Sequence, residues 1–254
     1  MDTVKIKIAS EYFFNNADLL LPAIKDASGN LLKDGITTWL TQSYELTPKD
    51  HTEDGVTRSG YNAAELNSVL REKMTVISGI HKETHVEYGA ILTTGKKGFD
   101  FSLFDEEYNT IKIRNSFVGN PGRYNGETPL LALNKKVLKA DGSTFSRKRD
   151  WKDKLDSLGG MPGENIECQK QRYTIVGEIQ FGNWAIVRHD LLRLLNSSSD
   201  GEIDYYVYIT ATGDLERKLS SGIVSFTDVV SLFRENKQLV RTPVWVIGID
   251  IDDT

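Results

Sequence analysis

Five segments in the last third of the chain constrain its fold more than anything else. "RYTIVGEIQF" (172–181), "EIDYYVYITAT" (202–212) and "TPVWVIGIDI" (242–251) are apolar, β-branched and aromatic runs of strand length. Between them, "WAIVRHDLLRLLN" (184–196) and "FTDVVSLFREN" (226–236) place apolar residues three and four apart, as an amphipathic helix does. A β-α-β-α-β order with helices of this length implies an α/β core whose strands are at least partly parallel. Functional groups in such sheets gather at strand ends and on the loops beyond them.

One of these strands carries a polar anomaly. Side chains two apart on a strand point the same way, so Glu178 and Gln180 share a face with Val176, while Ile175, Gly177, Ile179 and Phe181 take the other. A carboxylate on a buried sheet face needs a compensating partner. One solution is a hard divalent cation such as Mg²⁺, which takes one or two carboxylates and completes its shell with waters and phosphate oxygens. The other is an edge strand whose polar face is solvated. On the first reading a second acid should come from a nearby segment. Glu167 in "GENIECQKQ" lies eleven residues before Glu178 and gives Glu-x₁₀-Glu-x-Gln. A cation held there would polarise a phosphodiester and help ionise an attacking water, and Gln180 would orient water or phosphate by hydrogen bonding.

The N-terminal half reads as mixed. "ADLLLPAIKDA" predicts a short helix around Pro22, and "YNAAELNSVLREKMTVIS" a helix capped by Asn62. "THVEYGAILTT", "FDFSLF" and "TIKIRNSFV" predict strands, and residues 118–145, rich in turn formers, predict long loops. "SRKRDWKDKLDSL" predicts a charged helix ended by "GGMPG".

Composition narrows the class. The single cysteine, Cys168, excludes an intrachain disulfide framework and a cysteine-based zinc site, which favours a reducing cytoplasm. "MDTVKIKIASEYFF" has charges where a signal peptide needs an apolar stretch, and no run is long enough to span a membrane. The net charge of −5 argues against a protein that coats nucleic acid generically, yet allows a local basic surface. "FSRKRDWKDK" (145–154), which includes Lys152, is one candidate; it also reads as a solvated face. Two histidines four apart in "HKETH" lack a third zinc ligand, and "DIDDT" reads as a strand running out into solvent. Trp151 and Trp184 read as core residues before they read as base-stacking ones. No glycine-rich phosphate loop or nucleophile elbow is present.

"GEIQFGNWAIVRHDLL", "LERKLSSGIVSF" and "PVWVIGID", in this order and spacing, resemble the type II restriction endonucleases of the BstYI, BglII and BamHI group, with a fainter likeness in "KIKIASEYFFNNADLLLP". The resemblance covers about residues 151–251 and is most specific at "EIQFGN" and "SSGI". It implies an α/β restriction-endonuclease-like core with a mixed central sheet flanked by helices, within one nuclease domain. Residues 147–254 are the best-matched part and 27–145 an inserted or elaborated subdomain. It further implies a homodimer that grips a short palindrome in double-stranded DNA and cuts both strands with Mg²⁺. Glu178 then matches the second catalytic acid and metal ligand, the Ile179 carbonyl joins the metal, and Gln180 matches the third member, which is Gln or Glu in the group. The first acid is normally Asp; Glu167 is the best-matching position, with Asp156 as the alternative. Base and backbone contacts fall on Asn183, Arg188, His189, Ser220, Ser221 and Gly222, with Lys152 in the basic run positioning the duplex through phosphates. Asn183 also reads as a helix cap, and "SSG" as a plain turn. Relatives share a GATC centre in their sites, which extends as an expectation to this chain. A nuclease that reads DNA shape and a DNA-binding protein that has lost the chemistry are the rival readings.

Overall fold

The computed structural model describes residues 1–53, 56–87, 90–93, 98–120, 163–199, 203–219 and 222–252, together with a few isolated positions in 137–159. The expected helix over 146–158, with Trp151, Lys152 and Asp156, lies outside the described residues apart from Ser157.

Eight strands form one mixed sheet. In chain order the elements are β1 (Asp2–Phe14), α1 (Ala17–Leu20), α2 (Leu32–Leu40), β2 (Ser43–Leu46), β3 (Pro48–Glu53), β4 (Val56–Tyr61) and α3 (Ala63–Lys73). β5 (His81–Glu87), β6 (Ala90–Thr93), β7 (Phe99–Leu103), α4 (Glu106–Val118), β8 (Val137–Leu138) and β9 (Thr144–Phe145) follow. The chain ends with β10 (Ile175–Ile179), α5 (Trp184–Ser198), β11 (Tyr205–Ala211), α6 (Gly213–Lys218), α7 (Phe226–Glu235) and β12 (Val244–Ile251). The sheet runs β2-β1-β12-β11-β10-β7-β5-β6, while β3 with β4 and β8 with β9 form separate two-stranded pairs.

β10, β11 and β12 are the parallel centre that the C-terminal periodicity predicts. β1 joins it antiparallel along β12, and β7 antiparallel along β10. The three central strands are buried throughout their length except Asp250. Their side chains feed two apolar layers with period two. Ile175, Ile179, Val207, Ile209, Trp245 and Ile247 pack in the layer that α2, α3 and α6 cover through Ile36, Trp39, Leu70 and Leu215. Val176, Tyr206, Tyr208, Val244 and Val246 pack in the layer that α5 and α7 cover through Val187, Leu191, Leu194, Val229 and Phe233. Glu178 therefore points into a covered layer and is buried, which excludes the solvated edge strand.

Residues 27–145 contribute β2, β5, β6 and β7 to the same sheet. Two local expectations are corrected. "TIKIRNSFV" lies in the helix α4, because Asp105 caps it by accepting the Tyr108 N–H at 3.1 Å and Glu106 and Glu107 fill its first turn. "THVEYGAILTT" is a hairpin of β5 and β6 and not a single strand.

Gly177 is fixed by a close approach. It sits opposite Phe101 on β7, whose ring covers the place where a Cβ would stand, and that ring packs edge-on against Trp39 at 5.6 Å. Gly177→Ala should lower stability by about 1–3 kcal/mol through overpacking, read as the urea midpoint. The double variant Gly177→Ala/Phe101→Leu should recover part of that loss; no recovery would show that the ring is not the obstacle.

Candidate active site

Three adjacent strands bring three acids into a row. β10 pairs with β7 through Ile175–Leu103, Val176–Ser102 and Gly177–Phe101, and just beyond the last pair the Ile179 N–H turns to the Asp100 carboxylate, which brings Asp100 close to Glu178. β5 pairs with β7 through Lys82–Phe101 and Thr84–Phe99, which leaves Glu83 opposite Asp100 on the other side. Glu83 sits at φ 53°, in the left-handed region that a side chain rarely adopts. A fourth acid, Asp190, comes from the buried stripe of α5, where it takes a place among Val187, Leu191 and Leu194.

Two arginines run between these carboxylates. Arg71, from α3, pairs with both Glu83 and Asp100. Arg193, from α5, pairs with Glu178 and lies 3.3 Å from Asp190 Oδ1. Its guanidinium also stands 5.8 Å from the Phe99 ring. Four carboxylates against two guanidiniums leave an excess of two negative charges when all are ionised. Burial is the largest reason that Asp100 is pushed up to about 6, with Arg71 and the Ile179 N–H opposing it. Glu178 is raised well above the usual carboxylate range, first by burial and then by the charges of Asp100 and Asp190. Asp190 is raised by burial, against the hydrogen bonds from Gln180 and Tyr208 and the charge of Arg193.

The backbone takes part as well. The Ile179 N–H donates to Asp100 Oδ2 at 2.7 Å. The Ile179 carbonyl accepts from Asn67 Nδ2 at 2.9 Å, and Asn67 Oδ1 is buried with no hydrogen-bond partner. An orphaned buried acceptor calls for a donor or a cation. Gln180 continues the strand by donating its N–H to the Ile209 carbonyl at 2.9 Å, while its side-chain Nε2 donates to Asp190 Oδ2 at 3.1 Å.

This donor set fits a hard divalent ion. Asp100 and Glu178 lie close on adjacent strands, the Ile179 carbonyl follows Glu178, the orphaned Asn67 oxygen is bonded to that carbonyl through its amide, and the charge excess matches +2. Guanidiniums hold the carboxylates in the structure, and among the described residues no group of three His, Cys, Asp or Glu is gathered as a metal site.

The structure does not bring Glu167 to this place. Glu167 is exposed, in a coil whose Ile166 N–H donates to Asn115 of α4 and whose Gln171 N–H donates to Asp105. Asp105 follows Leu103, which pairs with Ile175, so that coil is anchored at the opposite end of β10 from Glu178. The antiparallel neighbour Asp100 stands where the spacing argument put Glu167. Asn183 caps α5 by accepting from the Ala185 and Ile186 N–H groups at 3.1 and 3.4 Å, and it remains exposed. Arg188 and His189 are exposed on α5, with the Arg188 guanidinium 5.6 Å from the Trp184 ring centre. Ser220 and Ser221 lie outside the described residues, as do Lys152 and Asp156. Gly222, at φ 82°, opens a turn joined to the Asn183 loop by the Val224 N–H, which donates to the Gly182 carbonyl at 2.9 Å. The two loops expected to read bases are thus neighbours at the carboxyl ends of the parallel strands.

Asp100, Asp190, Arg71, Arg193 and Asn67 were not singled out by sequence reasoning. "FDF" carried the same signal as Glu178, an acid inside an apolar strand, and Asp190 occupies a core position of a helical apolar stripe.

The family model described as restriction endonuclease BglII/BglIII matches residues 9–249. No curated protein matches the sequence significantly. Among solved structures, the crystal structure of restriction endonuclease BglII complexed with a DNA 16-mer is similar at 9% identity and a TM-score of 0.49, covering 98% of this chain and 80% of that one.

The charge excess has a pH signature. A carboxyl with a folded pKa of about 6 and an ordinary unfolded one penalises the native state in its ionised form. The penalty is absent below the unfolded pKa, grows as pH rises toward 6, and is full above it. Asp100→Asn keeps an acceptor for the Ile179 N–H. It should therefore raise stability at about pH 8 by on the order of 1–3 kcal/mol, the gain shrinking as pH falls through 6 toward 4. Urea unfolding at the two pH values checks this; a variant less stable than wild type at the higher pH would show that the Arg71 pair outweighs the burial cost.

Proposed function

Because the chain belongs to the BglII/BglIII restriction endonuclease family, a family of type II site-specific deoxyribonucleases, we propose that Asp100 and Glu178 hold one Mg²⁺ and that the enzyme cuts both strands of a short palindrome. The observation that carries this reading is that Asp100 and Glu178 are both buried on adjacent strands, with the Asp100 carboxylate accepting the N–H of Ile179, the residue after Glu178. We assign the first acid to Asp100 in place of Glu167, and the remaining ligand to the Ile179 carbonyl. When bound, the cation polarises the scissile phosphate and lowers the pKa of a water. The protein's own share is to keep the two carboxylates converged, to exclude bulk water through the apolar layers on either side, and to orient the attacking water with Gln180.

Recognition falls to the paired loops. We assign base reading to Asn183 and Gly222, together with Ser220 and Ser221 as the resemblance implies, since small residues let a backbone approach the bases. Arg188, His189 and Lys152 serve phosphate contact. A site with a GATC centre follows from the resemblance of these blocks. The homodimer is favoured by the outer face of α5, where Trp184, Ile186 and Leu192 are 39%, 45% and 56% exposed beside the recognition loop. A symmetric pair would present two equivalent sites to two strands. The whole chain acts as one nuclease domain, with residues 27–145 bracing the Asp100 strand. A reducing cytoplasm suits its single cysteine, and no helix among the described residues is long and apolar enough to cross a membrane.

Plasmid digestion with Mg²⁺ followed by sequencing of the ends tests the reading. Discrete fragments with one palindromic sequence at the ends are expected. Asp100→Asn and Glu178→Gln should each reduce cleavage by on the order of 10²–10³-fold, while Glu167→Gln should leave it unchanged. Ends without a fixed sequence would point instead to a nuclease that reads DNA shape. Full activity in Asp100→Asn would remove the proposed metal pair.

A further inference from the structure

Gln180 has two edges with opposite hydrogen-bonding character, and which one reaches the substrate is decided outside the triad. Its Nε2 donates to Asp190 Oδ2 at 3.1 Å. The same carboxylate accepts from Tyr208 Oη at 3.2 Å and faces Arg193 Nη1 at 3.3 Å. Three donors converge on one buried side chain, which is the environment of an ionised acceptor. A carboxylate cannot donate, so the amide edge turned toward it must be the NH₂. The carbonyl edge is left on the other side. Oε1 lies over Gly182, where a Cβ would come within 2.6 Å of it, and it has no hydrogen-bond partner among the described residues. A side chain at position 182 would crowd that oxygen.

We propose that Asp190 is a positioning residue that locks the Gln180 amide so that its carbonyl oxygen, and not its NH₂ group, meets the attacking water. This rests on the nuclease reading given above and adds a direction to it. A water that donates one proton to Oε1 keeps its lone pair for phosphorus. A water held by an NH₂ group would spend that lone pair on the amide. Asp190 therefore decides the sense of the hydrogen bond without touching substrate, and Arg193, shared between Asp190 and Glu178, ties that choice to the metal-binding acid. The geometry also explains how a glutamine, with no charge to act as a base, can hold the third position: its polarity is set from behind.

The orientation can be inverted chemically. Gln180→Glu sets two carboxylates against each other and should reduce kcat by about 10²-fold, with the KM for duplex unchanged. Asp190→Asn removes the acceptor that selects the NH₂ edge and should reduce kcat in the same direction. In the double variant Gln180→Glu/Asp190→Asn, the amide introduced at 190 donates to the carboxylate introduced at 180, and kcat should return to within about tenfold of wild type. Melting curves and duplex affinity without metal verify that each variant folds and binds. An independent readout uses the metal-free protein: the side-chain NH₂ resonances of Gln180, assigned with Gln180→Leu, should be exchange-protected in wild type and lose protection in Asp190→Asn. A double variant no more active than the weaker single, or Gln180 NH₂ signals indifferent to Asp190→Asn, overturns the proposal. Wild type that cuts no DNA defeats the nuclease reading alone, and the resonance measurement still decides the amide's orientation.

Discussion

Three buried carboxylates, Asp100, Glu178 and Asp190, held with Glu83 by two part-exposed guanidiniums where β5, β7, β10 and α5 meet, are the constraint on which the rest of the molecule turns. An apolar interior does not tolerate an excess of like charge, and here the excess is held in place by the strongest restraints the fold has. β7 and β10 are locked in register by their ladder, α3 delivers Arg71, and α5 delivers Arg193 and Asp190. Burial raises Asp100, Glu178 and Asp190 above the ordinary carboxylate range, so their ionised forms weigh against the folded state, as perturbed acids at functional sites do. The left-handed Glu83, opposite Asp100 and tied to Arg71, belongs to the same pattern.

The scaffold legible in the sequence is the part governed by local periodicity. β10, α5, β11, α7 and β12 follow the hydrophobic pattern because strands buried on both faces read as apolar runs and helices packed on one face read as stripes. "TIKIRNSFV" failed that test because Ile111 and Ile113 alternate with lysine and arginine, whereas the decisive signal was the acidic cap ahead of them, "DEE" at 105–107. The family assignment was legible because whole blocks, with their order, repeat a known pattern, and the family match over nearly the whole chain bears it out.

Half of the candidate site was not legible, for a physical reason. Glu178 and Gln180 announce themselves by breaking the apolar run of their own strand. The partner acid reaches Glu178 through an antiparallel ladder between strands far apart in sequence, and spacing along the chain carries no information about such a pairing. Glu167, near Glu178 in sequence and of the right residue type, has a backbone anchored to α4 at the other end of β10. An acid inside a buried strand demands explanation wherever it lies in the sequence, and Asp100 in "FDF" is such an acid.

The helix α5 joins these observations. Its buried stripe substitutes Asp190 for a hydrophobe and brings Arg193 one turn later, so the element that packs the layer also sets the charge balance of Glu178 and the polarity of Gln180. Its first residues follow the Asn183 cap and the loop hydrogen-bonded to Val224, and its outer face leaves Trp184, Ile186 and Leu192 to solvent. One helix thus touches the acids, the paired loops after β10 and α6, and an exposed apolar surface. A displacement of α5 by duplex or by a partner subunit would necessarily move Arg193 against Glu178 and Asp190 against Gln180. Any shift of α5 is felt at once by Glu178 and by Gln180, because the two side chains that hold them, Arg193 and Asp190, stand three residues apart on that one helix.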